Sequence, residues 1–426
     1  MTFLEHILWK EKVSKNSLKV NVSWTFLGNA IFAICQWLFI IIFAKFGNQM
    51  MVGQYSLALA ITAPIFLLTN LQLRDVLATD AKNTYNYKSY FALRVVSIIL
   101  SLTIIFIISH IGSYDGDTRK VILLVAISKA IESLSDISYG VFQKNETMKN
   151  IAISLILRGV SSIVFLLLLL VGTNSVVFSL VGVIVSWGLV LVFFDFKNVI
   201  NYIDFNAVIK FRFLKNIFKL SLPLGIVVML VSLNTNIPRY FIQSYLGTTS
   251  VGLFSSISYI VIAGNTVITA LGQSISPRLS KYYSEGNVSG YKHLLSKMLI
   301  ISVILGLLGI FVVLLFGEFI LSLIYTKEYK GLNNIFLLVM ISACFSYLSS
   351  IFGFSMTAAR KFNVQPILFI TVLCVCLLSS MLLIPNFGLY GAALTMVIFS
   401  FVQFVGSLIV NLLILKEQVK GDGLIG

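Results

Sequence analysis

The stretch FGNQMMVGQYSLALAITAP, residues 46–64, has a counterpart later in the chain, LGTTSVGLFSSISYIVIAG, residues 246–264. Each stretch places two glycines, Gly47 and Gly53 or Gly247 and Gly252, between one long apolar run and the next. Each then continues as a segment of small and apolar residues. This similarity predicts an internal repeat, and the repeat defines the kind of fold to expect.

The composition is that of a polytopic membrane protein. Of the 426 residues, 58% are hydrophobic and only 11% are charged, whereas soluble domains carry about 25% charged residues. The mean hydropathy is +0.97. In a soluble protein the net charge of +15 would suggest nucleic-acid binding, but here it fits anchoring to the cytoplasmic face of a bilayer.

Apolar runs of about 20 residues are long enough to span a bilayer as helices. Counting them predicts about twelve spans. Their approximate bounds are 18–44, 51–73, 89–111, 119–143, 150–171, 175–195, 216–243, 249–277, 293–316, 331–358, 364–384 and 388–415.

The distribution of basic residues predicts the orientation. With a cytoplasmic N-terminus, most of the 31 Lys and Arg residues fall in cytoplasmic segments, as the positive-inside rule requires. Both termini are therefore expected on the cytoplasmic side. The first seventeen residues are interpreted as an amphipathic segment on that surface, with no cleavable signal peptide.

A basic and aromatic connection, residues 196–215, divides the chain into two halves of six spans. It predicts a surface-lying linker helix, an N-terminal lobe at 1–205 and a C-terminal lobe at 206–426. Because six is even, both halves start on the same side, so the repeat is expected to be parallel, about an axis along the membrane normal. The predicted fold class is an all-α polytopic membrane protein whose two six-helix lobes enclose a central cavity.

The fourth span carries three ionisable residues, Lys129, Glu132 and Asp136, in ISKAIESLSDI, residues 127–137. Charges within the hydrocarbon are costly, about 2.5–3.5 kcal/mol each on insertion scales, so they persist where they are paired or face water. Their i, i+3 and i+7 spacing puts them on one helical face. This pattern favours a wall of a hydrated cavity; the alternative is a Lys129–Glu132 salt bridge that only joins helices.

The tenth span repeats this pattern without the charges. ISACFSYLSSI, residues 341–351, keeps the isoleucine, serine and leucine positions, but Ala343, Ser346 and Ser350 replace the charged residues. The chemistry is therefore expected to be concentrated in the first lobe.

Three arginines also lie within predicted spans. Arg158 is a candidate for bidentate phosphate binding, or it pairs with Asp136 or Glu132. Arg94 lies close enough to the cytoplasmic end of its span to snorkel to the surface, or it binds substrate. Arg239 and Asn236 belong to a polar patch in the seventh span and are further candidates for substrate binding.

Bases exceed acids among these residues, which indicates an anionic substrate. Glu132 and Asp136 are the candidates for binding a coupling proton or Na⁺. The sequence contains neither a nucleotide-binding P-loop nor a His or Cys cluster with metal-ligand spacing, so no cofactor, no metal and no enzymatic activity are expected.

Four segments in chain order resemble bacterial polysaccharide flippases of the O-antigen type, members of the multidrug/oligosaccharidyl-lipid/polysaccharide exporter superfamily. They are FGNQMMVGQYSLALAITAPIFLLTNLQLRDVLATDA (46–81), FKLSLPLGIVVML (218–230), LIYTKEYKG (323–331) and PNFGLYGAALTMVI (385–398).

The resemblance implies movement of an oligosaccharide repeat unit linked to undecaprenyl pyrophosphate across the bacterial cytoplasmic (inner) membrane. It also implies alternating access, coupling to an ion gradient and a role in O-antigen, lipopolysaccharide or capsule synthesis. Besides the lipid-linked substrate and membrane lipids, a polysaccharide polymerase and a chain-length regulator are expected partners, and nucleic acid is not. The alternatives are a multidrug exporter of the same superfamily and, from another class, a membrane-bound polymerase or ligase.

Overall fold

The long apolar runs form long helices, because a chain within hydrocarbon must satisfy its backbone hydrogen bonds inside each segment. The computed structural model describes residues 18–80, 84–202, 211–361 and 364–422, none of which lies in a β-strand. The helices are α1 (Leu18–Phe46), α2 (Gln49–Asn70), α3 (Leu73–Thr79), α4 (Tyr87–Ile111), α5 (Gly116–Lys144), α6 (Met148–Thr173), α7 (Val176–Val190), α8 (Phe211–Leu246), α9 (Thr248–Ser284), α10 (Val288–Ile324), α11 (Asn333–Ala358) and α12 (Val364–Asp422).

Two irregular features modify this series of helices. Helix α7 continues as a π-helical stretch, Leu191–Phe196, followed by single turns at Lys197–Val199 and Ile200–Tyr202. Helix α12 is interrupted at Gly388, whose φ of 58° is left-handed. A conformation of that kind is open to glycine at little cost, so α12 consists of two helices joined at a bend.

Polar side chains fix several helix starts. Asn86 accepts hydrogen bonds from the backbone N–H of Ser89 at 2.9 Å and from its hydroxyl at 2.6 Å. Asp115 accepts from the N–H of Thr118 at 3.1 Å. Such N-caps satisfy backbone donors that have no partner within the helix, which is why α4 and α5 begin where they do.

The predicted count of about twelve spans is confirmed. Within the described residues, nine helices are long and apolar enough to cross a membrane, and the longest contains the bend at Gly388 and provides two spans. Helix α5 is outside that set because of its charged residues, and α9 contributes the shorter apolar segment Thr248–Val261.

The chain divides into two compact units. Unit 1 takes in the described residues up to Phe39 and then Ile65–Gly225, whereas unit 2 takes in Ile40–Pro64 and the described residues from Ile226 onward. The predicted surface segment before residue 18, the middle of the predicted linker at 203–210 and the predicted lobe boundary at 205/206 lie outside the described residues. The parallel repeat axis and the central cavity remain predictions.

Each unit has its own hydrophobic core. In unit 1 the core brings together α3, α4 and α5, with Leu73, Tyr90 and Ile137 fully buried. In unit 2, Ile237 packs with Val372 and Cys376, both fully buried, from the first half of α12. The charged face of α5 therefore lies on a helix whose other side is packed within unit 1.

Candidate functional site

The charged face of α5 forms two separate ionic groups. Lys129 Nζ lies 2.7 Å from Glu132 Oε2, and both side chains are less than one-third exposed. This is the helix-internal salt bridge that the i, i+3 spacing allowed. A contact this short satisfies both charges locally, so Lys129 and Glu132 form a neutral pair at this level of α5.

One turn further along α5, Asp136 is shared by two arginines. Arg94 Nη2 lies 2.9 Å from Asp136 Oδ2, and Arg74 Nη1 lies 3.6 Å from Asp136 Oδ1. The Arg94 side chain is completely buried, so it does not snorkel to the surface. The structure decides against that alternative because the carboxylate that Arg94 needs lies inside unit 1, on the adjacent helix.

Arg74 reaches this carboxylate because of the backbone between α2 and α3. Leu71 and Gln72 have φ values of 53° and 51°, a left-handed turn that few residues other than glycine adopt. Helix α3 then packs closely on α5, where a Cβ at Gly140 would lie 3.1 Å from the Arg74 carbonyl oxygen. This close approach brings the Arg74 guanidinium to Asp136.

Arg74 is further fixed by two residues of the same α5 face. Its Nε donates a hydrogen bond of 3.1 Å to Gln143 Oε1, and its guanidinium lies 5.5 Å from the ring centroid of Tyr139. The sequence interpretation placed Arg74 at the end of a span as an anchor or gate. Its contact with Asp136 comes from the turn before α3, which no local pattern reveals.

Arg158, on α6, lies in an aromatic cage. Its guanidinium is 4.4 Å from the ring centroid of Trp187 and 5.6 Å from that of Phe32, and the residue is 1% exposed. Nη1 donates a 3.2 Å hydrogen bond to the Tyr139 hydroxyl. Desolvated cation–π contacts contribute about 2 kcal/mol or more, so this cage is a strong partner for the charge.

The predicted ion pair of Arg158 with Asp136 or Glu132 is not formed in this structure. Within the described part of the chain, Arg158 contacts no carboxylate at ion-pair distance, and its Nε and Nη2 have no hydrogen-bond partner. The reason is steric: α6 packs tightly on α1, where a Cβ at Gly159 would lie 2.9 Å from Cys35 Sγ. That packing places Arg158 next to Phe32.

Asp195 was missed by the sequence interpretation. It lies in the π-helical stretch that extends α7, and it is completely buried. Neither of its carboxylate oxygens has a hydrogen-bond partner among the described residues. The available signal was a single acidic residue in the apolar run LVLVFFDF, residues 189–196, which was interpreted as the end of a span.

In unit 2, Arg239 is surrounded by neutral polar groups. Its Nε donates to Ser255 Oγ at 3.1 Å, and its Nη1 donates to Asn236 Oδ1 at 2.5 Å. Tyr259 lies under the guanidinium at 5.5 Å. Arg239 is only 8% exposed, yet it forms no ion pair with a carboxylate of the described residues. Its charge is solvated by dipoles alone.

The predicted counterpart of α5 in unit 2, α11, carries a hydroxyl cluster. Ser342 Oγ and Ser346 Oγ lie 2.9 Å and 3.2 Å from Ser400 Oγ of α12. These short hydroxyls bridge α11 and α12 without a charge. The repeat of sequence is thus a repeat of polarity, whereas ionised groups occupy this position only on α5.

The buried and half-buried bases outnumber the acids. The bases are Arg74, Arg94, Lys129, Arg158 and Arg239, and the acids are Glu132, Asp136 and Asp195. Among the described residues, no group of three His, Cys, Asp or Glu side chains is arranged to hold a metal ion. The chemistry available in these clusters is the binding of anions by guanidinium groups and the binding of a proton by a carboxylate.

The fold matches that of known transporters. An inward-facing multidrug resistance MATE family transporter of the MOP superfamily superposes with a TM-score of 0.73 at 14% identity, covering 93% of this chain and 99% of that one. A MOP superfamily transporter from Pyrococcus furiosus, reported with a binding pocket of reverse polarity, gives a TM-score of 0.65 at 16% identity and covers 93% and 96%. The fold therefore defines a multi-pass membrane protein with MOP-superfamily architecture.

Sequence similarity narrows the class. A family model described as polysaccharide biosynthesis protein matches residues 18–283. The capsular polysaccharide biosynthesis protein CapF of Staphylococcus aureus is 32% identical over 394 residues, which are 90% of this chain and 97% of CapF. The chain belongs to the polysaccharide biosynthesis protein family, which confirms the resemblance found in the sequence.

Proposed function

We propose that this protein is a flippase that moves a lipid-linked oligosaccharide repeat unit, carried on undecaprenyl pyrophosphate, across the bacterial cytoplasmic membrane by alternating access. The observation that carries the proposal is the excess of buried guanidinium groups, above all Arg239, which has only neutral partners. A buried charge without a counter-ion is costly. An anionic headgroup would supply the missing counter-charge.

Pyrophosphate suits these side chains. A guanidinium binds two phosphate oxygens in parallel, with charge-assisted hydrogen bonds about twice as strong as neutral ones. Lys129, Arg158, Arg239, Arg94 and Asn236 are the proposed substrate-binding residues. Arg158 retains two N–H groups without a partner in this structure, so it can accept a phosphate once the cage opens.

A coupling ion is part of the proposal. Glu132 and Asp136 are the coupling residues predicted from the sequence, and that prediction stays open. Their close basic partners, at 2.7 Å and 2.9 Å, favour the ionised carboxylate. This weakens the case for either residue as the group that takes up a proton.

Among surface polysaccharides, capsule is the product that the similarity to CapF favours, and O-antigen is the alternative. The proposed setting is the cytoplasmic membrane with both termini inside. A polymerase and a chain-length regulator would act next on the translocated unit.

A multidrug exporter of the same superfamily is the second candidate, because multidrug transporters share the fold. The two candidates differ in the charge that their substrates need. An exporter of organic cations needs acidic groups, whereas the clusters here carry more bases than acids. The net charge supports the anionic lipid-linked substrate.

The test is deletion of the gene followed by complementation. We expect the deletion strain to lose surface polysaccharide and to accumulate untranslocated lipid-linked repeat units, and the wild-type gene to restore both. Arg239→Gln should fail to restore export, whereas Arg278→Gln, which removes an exposed charge, should restore it fully. Normal surface polysaccharide combined with drug sensitivity in the deletion strain would establish the multidrug alternative.

A further inference from the structure

The most unusual buried group outside the predicted site is the carboxylate of Asp195. The residue is 0% exposed, and neither oxygen has a hydrogen-bond partner among the described residues. An ionised carboxylate in apolar surroundings is far more costly than a neutral acid, and such groups usually take up a proton instead. The burial of Asp195 therefore requires either a counter-ion in contact or a proton.

The groups that face Asp195 are few. The hydroxyls of Ser135 and Ser154 lie close to the carboxylate, although not in hydrogen-bond geometry, and Arg158 and Tyr139 lie within electrostatic range. Ser154 Oγ is already bonded to the Tyr139 hydroxyl at 2.7 Å, and Ser135 Oγ has no hydrogen-bond partner. Ser135 is thus available to accept a hydrogen bond from a protonated Asp195.

The one base near Asp195 is already engaged. Arg158 directs Nη1 to Tyr139 and lies over the Trp187 ring, so it makes no ion-pair contact with Asp195. The other two acids of unit 1 differ from Asp195 in this respect. Glu132 and Asp136 each have a basic nitrogen within 3 Å, so their charges are compensated where they stand.

The local backbone also points to a specialised position. Asp195 lies in a π-helical stretch, Leu191–Phe196. π-Helical turns are rare and are found mostly as single turns within α-helices, frequently at functional sites. The wider turn changes the angular position of the side chains that follow α7, and Asp195 consequently lies inside unit 1.

We propose that Asp195 is a proton-binding site, and that the proton it carries couples transport to a transmembrane proton gradient. The coupling half of this proposal rests on the proposed function. In the conformation described here, Asp195 is the neutral acid and Arg158 is held by its aromatic cage. Loss of the proton leaves a buried carboxylate, whose nearest basic group is Arg158.

The step is a proton transfer. An O–H bond forms at Asp195 with a proton from water on one side of the membrane, and the same bond breaks when the proton is released to the other side. In the deprotonated state the negative charge draws Arg158 from Tyr139 and Trp187 toward Asp195. Protonation thus selects between two arrangements of a guanidinium that is itself a proposed substrate ligand.

A proton fits the site better than a metal ion. Hard cations take about six or more oxygen ligands, whereas Asp195 and two serine hydroxyls offer fewer, and one of those hydroxyls is engaged. The positive charge of Arg158 also repels a metal ion.

The test is infrared spectroscopy of the purified full-length protein in lipid nanodiscs at neutral pH. We expect the carbonyl stretch of a protonated carboxylic acid in the wild type and its loss in Asp195→Asn. The control Asp136→Asn should retain the band. Ser135→Ala should shift its frequency without removing it, because one hydrogen-bond acceptor is lost. Absence of the band from the wild type, or its persistence in Asp195→Asn, overturns the proton site.

Two further measurements complete the test. Replacing K⁺ by Na⁺ at fixed pH should leave the band unchanged, and its loss in Na⁺ would show a metal-ion site and overturn the assignment. In the deletion strain, Asp195→Asn should reach the membrane at the wild-type level but fail to restore polysaccharide; full restoration overturns the coupling role. The infrared result needs no substrate, so it stands or falls independently of the proposed function.

Discussion

Gly53 of α2 and Gly252 of α9 pack directly against each other. A Cβ at Gly252 would lie 2.8 Å from Gly53 N and 2.2 Å from Gln49 O, and a Cβ at Gly53 would lie 1.9 Å from Thr248 O. Gln49 and Thr248 are the first residues of the two helices. Each glycine therefore contacts the first residue of the other helix, and the glycines shared by the two similar sequence stretches form one reciprocal crossing.

This crossing predicts that Gly252→Ala destabilises the protein. The added methyl group has no room, and overpacking costs typically 1–3 kcal/mol, roughly. Thermal unfolding of the purified protein in detergent measures the effect. Gly353→Ala is the matched control, because no atom lies within 4 Å of a Cβ at that α11 position. Equal stability of the two variants would contradict the close contact.

The shared carboxylate of Asp136 yields a second prediction. Asp136→Asn leaves Arg94 buried without a counter-ion, which should cost on the order of 3 kcal/mol of folding free energy. Asp117→Asn, which breaks an exposed pair with Lys120 on the same helix, should have no measurable effect. Combining Asp136→Asn with Arg94→Met should recover part of the loss, since the unpaired charge is then removed; no recovery would refute this account.

Exchanging Lys129 and Glu132 distinguishes the two roles considered for this pair. The doubly substituted Lys129→Glu/Glu132→Lys protein retains a salt bridge at i, i+3. If Lys129 binds substrate, as proposed, the swapped protein should reach the membrane at the normal level but fail to export polysaccharide. Lys129→Ala should fail in the same way. Normal export by the swapped protein would show that the pair serves only to join neighbouring side chains on α5.

Asp80, after α3 and outside the membrane-spanning helices, gives a prediction of pH dependence. Burial alone would raise the pKa of its carboxyl, but hydrogen bonds from the backbone N–H groups of Thr84 and Tyr85, at 2.9 Å and 3.1 Å, lower it below the usual value. A lowered pKa in the folded state stabilises the protein above the unfolded pKa of about 3.9. That stability is lost as the pH falls through the folded pKa.

Thermal unfolding below about pH 4 should therefore show a steeper loss of stability in the wild type than in Asp80→Asn. Asp117→Asn, at an exposed position, serves as the control. Identical acid sensitivity of all three proteins would refute a stabilising role for the ionised Asp80 side chain.

The sequence by itself determined what depends on neighbours along the chain. Apolar length predicted about twelve spans, and the 3.6-residue period placed Lys129, Glu132 and Asp136 on one face of α5. The same spacing allowed the Lys129–Glu132 bridge that the structure contains. The similarity of residues 46–64 and 246–264 identified the glycines of the crossing, although not that they meet.

Only the tertiary structure decided which partner each buried charge has. Arg74 reaches Asp136 through a left-handed turn before α3, Arg158 has aromatic partners because of the tight packing of α6 on α1, and Asp195 is buried in a π-helical turn. Electrostatic pairing depends on distance in space and on exclusion of water. Periodicity along one helix fixes neither, so the partners of these charges became known only when the helices were packed together.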